Sequence, residues 1–468
     1  MRRFIILFSI LCLNSWGSNF NIEVYQKCHK QFTNSRVKKN SEVIKLISKK
    51  ELSAPKACIE LIKRASLDEN YQLKIVNKET KAILKNIQTL HNSWFKLHNL
   101  NRETQDHSVT NVIDSNQMAY HYTASLLANN YQYSNIFTTT DTFWAVREGN
   151  ENNLFSNDKD ISGERSRIDG SAKRKWQVGG VEDNPDDYGA RYFWKPKLVE
   201  FGELIGLRKI KEHLYFERLR EGRKLNKSSL TQNLFPGVFG SSAYLILNLG
   251  HDNQTTDGGN KLHRRFANNL FSDFLCRNLP ALESEDIQVI KKSKISFRKS
   301  TNCMSCHQTM DQLALLSTNL EPFNAGEVHT NAFTFRSIYQ HPTPLQAEHR
   351  YVDSDKDFYK KKHLAKLYFR DFQGNLINRD ILAPKDLGLI LKELDDPYLC
   401  TSARYFQFLT GISVNMNQFN QLTGNLKIKK TLMRLTSILK SEQKPMRVLE
   451  EIISSEFYIS KNREATNE

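Results

Sequence analysis

Most of the short motifs that mark enzyme active sites are missing from this 468-residue sequence. It has no P-loop, no G-x-G-x-x-G after a strand, no H-E-x-x-H pair and no EF-hand loop. The Gly-Ser-Ser run at residues 240–242 does not have the spacing of a nucleophile elbow. The Asp-Asp pairs at 186–187 and 395–396 are explained more simply as turns and caps than as catalytic carboxylates. These absences leave no motif for nucleotide, zinc-protease, calcium or serine-hydrolase chemistry.

The apolar run near the start is too short for a stable membrane anchor. It covers residues 4–13, follows two arginines and is followed by small residues that offer a cleavage site. Cys12 lies inside the run, but Leu11 before it is bulkier than lipoprotein processing usually accepts. The pattern predicts a Sec signal peptide over residues 1–17 that is cleaved, and therefore an exported, periplasmic protein.

Basic residues outnumber acidic ones, which gives a formal net charge of +16. A basic exported protein suits acidic protein partners or the anionic envelope surface. Nucleic acid is not expected as a partner, because no recognised binding motif accompanies the charge and the compartment is wrong.

The central motif of the sequence is a C-x-x-C-H over residues 303–307. In this spacing two thiols can add to the two vinyl groups of one haem, and the next histidine ligates the iron. We therefore predict one covalent haem c on Cys303 and Cys306, with His307 as the axial iron ligand. The alternatives are a chance cluster and a C-x-x-C redox disulfide, and the latter lacks a thioredoxin-like βαβ context.

A helix is the expected carrier of the motif, because residues three and four apart lie on one face. Met310, Leu313, Leu316 and Leu320 recur at helical spacing and would wall an apolar pocket. The second ring nitrogen of His307 is expected to donate to a backbone carbonyl that fixes the imidazole.

The sixth iron ligand is not defined by the sequence. Met310 follows His307 on the same helix, so we expect it to pack against the ring system rather than cross the haem. Met118, Met433 and Met446 are further methionine donors. The candidates retained as distal ligands are Met416, His341 and His329.

Another pair of histidines, His91 and His98, lies seven residues apart and shares a helix face. The pair suits a metal or a haem edge, but core or solvent-exposed histidines are the favoured interpretation.

Four cysteines remain after Cys12 and the haem motif are set aside. Export permits disulfides, and four cysteines allow three connectivities. The preferred pairing is Cys28–Cys58 and Cys276–Cys400, and the alternative is buried free thiols.

The periodicity predicts a mainly α fold with few short strands. Beyond the signal, we expect an N-terminal helical domain (18–110), a middle helical domain (111–250) with a polar insertion (148–190), a haem c-binding region (251–345) and a C-terminal helical region (346–468). Within these, residues 136–144 are predicted to be extended or in turns, about 210–223 helical, and 331–355 irregular. Arg264 and Arg265 are expected on the outer face of a helix over 262–277.

Over residues 115 to 460 the sequence resembles the planctomycete-type cytochrome c proteins, which are exported proteins with domains of unknown function around a single C-x-x-C-H. The similar segments are residues 257–259, 275–280, 297–298, 303–311, 321–323, 372–376, Cys400, 406–411 and 454–457. Gln312 and residues 313–316 depart from the proline and glycine-containing run usual after this motif.

The function expected from the motif and the address is that of a periplasmic c-type cytochrome that transfers electrons to a redox partner protein. A haem enzyme of the peroxidase or oxidase type, with an open distal site, is the first alternative. An envelope binding or scaffold protein with a structural haem is the second. Whether the protein is an enzyme is left open by the sequence.

Overall fold

The computed structural model describes residues 20–95, 116–148, 203–211, 213–216, 229–232, 235–248, 262–293, 296–317, 320–324, 333–337, 365–421 and 426–459. Within them the chain is mostly helical with a minority of strand, which confirms the mainly α prediction. The predicted signal peptide, nearly all of the polar insertion and all four predicted domain boundaries lie outside the described residues.

The main helices of the described residues are numbered in chain order. They are α1 (20–33), α2 (Glu42–Ser48), α3 (Ala54–Lys63), α4 (Lys78–Asn92), α5 (Gln117–Leu127), α6 (Asn135–Thr138), α7 (Ser242–Leu247), α8 (Leu262–Phe274), α9 (Thr301–Ala314), α10 (Pro384–Glu393), α11 (Asp396–Thr410), α12 (Leu426–Glu442) and α13 (Pro445–Ile453).

In the described part of the chain, the strands form three small sheets. They are β1 (Asp141–Arg147), β2 (Leu204–Lys211), β3 (His213–Phe216), β4 (Ser229–Gln232), β5 (Leu320–Asn324), β6 (Phe333–Ser337), β7 (Ala365–Arg370) and β8 (Leu376–Ile381). β1 pairs antiparallel with β2, and β7 with β8. The other four lie in the order β4-β3-β6-β5, in which only β3 and β6 run parallel.

Helix ends follow the local sequence. Ser53 accepts the backbone N–H of Lys56 (3.4 Å) at the start of α3, where Pro55 occupies the first turn. Asn77 and Thr80 cap α4 reciprocally, each side chain accepting the other's backbone N–H at 3.0 Å. These caps fix helices that the apolar periodicity alone locates only approximately.

One hydrophobic core links the first and last helices of the described chain, with buried side chains from Val24 to Tyr458 in a single cluster. Polar contacts accompany it: Gln31 Nε2 donates to the carbonyl of Phe408 at 2.7 Å, and Lys63 pairs with Glu450 at 2.7 Å. Residues far apart in sequence thus stabilise one another directly.

Two disulfides join elements within this core. Cys28 of α1 is bonded to Cys58 of α3, with a Cα–Cα distance of 5.9 Å. Cys276, just after α8, is bonded to Cys400 of α11, with a Cα–Cα distance of 5.2 Å. This is the pairing preferred from the sequence.

Three local predictions are corrected. The helix predicted over about 210–223 is wrong where the chain is described, because residues 204–211 and 213–216 are strands and β2 pairs with the non-local β1. The helical row that was to include Leu320 ends at Ala314, and Leu320 begins β5. The segment 331–355, predicted irregular, contains β6, which pairs with β5.

The prediction of extended or turn structure over residues 136–144 is confirmed from Asp141 onward, where β1 begins and Phe143 and Trp144 are buried, and is wrong for residues 136–138, which lie in the single turn of α6. No helix in the described ranges is both long and apolar enough to cross a membrane.

Candidate haem-attachment site

The C-x-x-C-H motif lies at the start of α9. Ser300 caps this helix, its hydroxyl oxygen accepting the backbone N–H of Cys303 at 3.4 Å. Cys303, Cys306, His307 and Met310 then fall on one helix face, and each is partly exposed. The structure therefore presents both thiols and the imidazole together on the face that the described chain covers least.

The opposite face of α9 is buried and hydrogen-bonded. Thr309 Oγ1 donates to the carbonyl of Tyr368 on β7 at 2.7 Å. Gln308 Nε2 donates to the carbonyl of Asp286 at 2.9 Å, while Gln308 Oε1 accepts the N–H of Gln288 at 2.6 Å. These bonds hold α9 in one rotation about its axis, and that rotation determines which residues face outward.

Asp286, which carries one of these carbonyls, is itself held by an arginine. Its carboxylate accepts from Arg370 Nε at 2.6 Å and from Arg370 Nη2 at 2.9 Å. The hydrogen bonds from Arg370 lower the pKa of Asp286, despite the opposing effect of burial. A bidentate ion pair of this kind fixes orientation as well as charge.

His307 is oriented by a carboxylate and not by a backbone carbonyl, which corrects the expectation from the sequence. Its Nδ1 lies 3.3 Å from Asp311 Oδ1, one helical turn further on. Both oxygens of Asp311 also accept from Arg264, so a donor at His307 Nδ1 suits this carboxylate and leaves the lone pair of Nε2 for another ligand. This is the tautomer that an iron ligand at Nε2 requires.

Asp311 is buried and is shared with a second helix. Arg264 of α8 donates to Asp311 Oδ1 from Nε (2.8 Å) and to Oδ2 from Nη2 (3.4 Å). Arg264 was expected on the outer face of its helix, but its side chain is only 30% exposed and reaches α9. The Asp311 carboxylate, which is only 6% exposed, is thus paired with the guanidinium group of Arg264, which offsets the cost of burying its charge.

Phe297 completes the surroundings of the imidazole. Its ring lies against that of His307, with centroids 4.3 Å apart and planes tilted by 33°. The guanidinium groups of Arg264 and Arg298 each lie 5.7 Å from the Phe297 centroid. Aromatic packing and ion pairing thus restrain the same histidine from different directions.

Cys303 and Cys306 are free thiols, whereas the other four cysteines of the described residues are disulfide-bonded. Two unbonded thiols one turn apart, beside an imidazole with the lone pair of Nε2 available, match the donor set of a haem attached through two thioether bonds. Met310 on the same face offers apolar contact. The residues present therefore fit a covalently attached haem.

Met416 is the one candidate distal ligand within the described residues. Met416 begins a short 3₁₀ segment and packs, partly buried, against the core. His341 and His329 lie outside the described residues, as does His98. In the part of the chain that is described, no group of three or more His, Cys, Asp or Glu side chains is arranged to hold a metal ion.

His91 belongs to the core. It is fully buried, with Nδ1 2.9 Å from Thr123 Oγ1 and Nε2 2.8 Å from Tyr405 Oη. Burial lowers its pKa to about 3, so it is a neutral hydrogen-bonding residue. The favoured core interpretation of this histidine agrees with its surroundings.

Sequence reasoning missed the roles of Asp311 and Arg264. The spacing of His307 and Asp311, four residues apart on a predicted helix, was a usable signal for contact. Arg264 lies 47 residues from Asp311 in sequence, and no local pattern links the two.

Comparison with protein-family models, with curated proteins and with solved structures finds no match.

Proposed function

We propose that the protein is an exported c-type cytochrome that carries one covalent haem and transfers electrons. The observation that carries the proposal is the shared, partly exposed face of Cys303, Cys306 and His307 on a helix that is fixed from behind. The two disulfides support the oxidising compartment in which such an attachment is made.

Each residue of the face has a defined part. The two thiols hold the cofactor covalently, which prevents its loss to solvent. His307 ligates the iron through Nε2, while Asp311 and Phe297 hold the imidazole plane. The bound haem supplies a one-electron change between ferric and ferrous iron.

A pyridine haemochrome spectrum of protein exported together with haem-maturation machinery tests the proposal. The wild type is expected to show the α band of a c-type haem after denaturation and acid–acetone extraction. Replacing Cys303 and Cys306 by serine removes both thioether bonds, so the haem is lost on extraction.

The matched control replaces the disulfide pair Cys276 and Cys400 by serine. This variant loses two cysteines as well, but keeps the motif, and any folded fraction is expected to retain covalent haem. A wild type that carries no covalent haem contradicts the proposal, and Cys303–Cys306 is then to be assayed as a redox disulfide.

A haem enzyme with an open distal site is the second candidate, and the His307–Asp311 bond favours it. A carboxylate acceptor increases the donor strength of an axial histidine more than a carbonyl does. Cyanide binding to the ferric protein separates the two candidates, because an open site binds it rapidly whereas a sixth ligand such as Met416 must first be displaced. A methionine-to-iron charge-transfer band supports the electron carrier.

A further inference from the structure

His307 of α9 contacts a carboxylate on its own helix, Asp311, and an arginine of α8, Arg264, contacts the same carboxylate. His307 Nδ1 contacts Asp311 Oδ1 at 3.3 Å, and the same oxygen accepts from Arg264 Nε at 2.8 Å. Exposure falls from 26% at His307 to 6% at Asp311, with Arg264 at 30%. The negative charge is therefore the innermost of the three.

We infer that Asp311 and Arg264 act as a pair that sets the reduction potential of the haem, with Asp311 also positioning the imidazole. This inference rests on the proposed function, because it concerns the same covalently attached haem. It assigns opposite effects to two residues that are not expected to touch the haem.

The direction of each effect follows from the charges. A carboxylate that accepts the Nδ1 proton increases electron density at Nε2 and places negative charge near the iron, so it favours the ferric state. Arg264 shares that carboxylate and neutralises part of its charge, so it favours the ferrous state. In a buried setting these interactions are screened by solvent far less than those at the surface.

The test compares Asp311→Asn and Arg264→Gln with wild type in the full mature protein carrying covalent haem. Asparagine keeps the size of the side chain and one acceptor oxygen while it removes the charge. Lys299→Gln is the matched control for Arg264→Gln, since it also removes one positive charge close to the motif, from an exposed position. The readout is the midpoint potential from an optical redox titration.

Asp311→Asn is expected to increase the ratio of ferrous to ferric haem at a fixed potential about tenfold, which for one electron is about +59 mV. Arg264→Gln is expected to change the ratio in the opposite direction. Lys299→Gln should change it far less, because exposed charges are screened. In a five-coordinate ferrous haem, the Fe–His stretch in the Raman spectrum should also fall in frequency for Asp311→Asn, since the imidazole becomes a weaker donor.

Several results overturn the inference. Shifts of the same sign in both variants, or an Arg264→Gln shift no larger than that of Lys299→Gln, contradict it. Should Asp311→Asn not fold, the comparison of Arg264→Gln with Lys299→Gln decides alone. A wild type without covalent haem overturns both this inference and the proposed function, whereas a loaded wild type with unresponsive potentials overturns only the inference.

Discussion

Individual buried histidines determine how the stability of this protein responds to acid. His91 and His121 are fully buried, and burial lowers the pKa of each to about 3. Both exchange hydrogen bonds with hydroxyl groups, His121 with Tyr131 at 2.9 Å. Since an unfolded histidine has a pKa near 6.5, the unfolded state binds more protons between about pH 3 and 6.5. The stability that these residues confer is complete above pH 6.5 and is lost as the pH falls.

Replacing His91 by glutamine should therefore flatten the acid limb of the stability profile. One titrating group fewer lowers the slope of unfolding free energy against pH by about 1.4 kcal/mol per pH unit between about pH 4 and 6. Urea titrations at several pH values measure this slope. Thr123→Val is the matched control, because it removes a hydrogen-bond partner of His91 but leaves the histidine in place. Equal slopes in wild type and His91→Gln would refute the assignment.

Asp396 changes the pH dependence of stability in the opposite direction to His91. The effect of His91 must therefore be measured as the difference between wild type and a variant. It is buried at the start of α11, and burial raises its pKa to about 7 although Arg277 lies 3.6 Å away. Here the folded state binds the extra proton, so the contribution to stability falls as the pH rises from about 4 to 7. The wild-type profile therefore contains both signs, and only a difference between proteins isolates His91.

At the level of secondary structure, the buried face of α9 determines how this helix is oriented. The cysteine–histidine spacing predicts α9 from sequence. The rotation of the helix depends on Thr309 and Gln308, which contact β7 and the 283–290 segment. Those partners are 59 and 22 residues away in sequence. Non-local pairing also explains the error at residues 210–216. The segment predicted as a helix forms the end of β2, which pairs with β1, and β3, which pairs with β4 and β6.

Thr309→Val tests the anchoring of this helix. Valine has a similar shape but leaves the carbonyl of Tyr368 without its buried donor, so a loss of about 1–3 kcal/mol of unfolding free energy is expected. Thr301→Val, at an exposed position of the same helix, should change stability by less than about 0.5 kcal/mol. Chemical unfolding monitored by circular dichroism measures both, and indistinguishable values would show that the bond does not anchor α9.

At the scale of the whole molecule, the disulfides tie the motif into the core. The Cys276–Cys400 bond closes a loop of sequence separation 124 that contains α9, while Cys28–Cys58 spans only 30 residues near the start. The cysteine count and the predicted export signal favoured disulfides from sequence, and this pairing was the preferred one of three connectivities. The contacts that surround it, such as Gln31 with Phe408, join residues 377 apart and had no sequence signal.

The lengths of the two disulfide-closed loops should affect how much each disulfide contributes to the free energy of unfolding. Replacing both cysteines of a pair by serine typically costs 2–5 kcal/mol, and the chain-entropy treatment makes the longer loop more costly by about 1 kcal/mol. We expect the Cys276/Cys400 double variant to be the less stable of the two in urea unfolding at constant protein concentration. A Cys28/Cys58 variant of equal or lower stability would mean that local packing outweighs loop entropy.

The most direct test of the whole account is the mass of one peptide from the exported protein. Trypsin cleavage after Lys299 and Arg336 releases residues 300–336, which contain Cys303 and Cys306 and no other cysteine. With a haem on both cysteines, this peptide carries the added mass of one haem, and the Cys303→Ser/Cys306→Ser peptide carries none. An unmodified wild-type peptide from protein made with active haem-maturation machinery would contradict the cytochrome assignment.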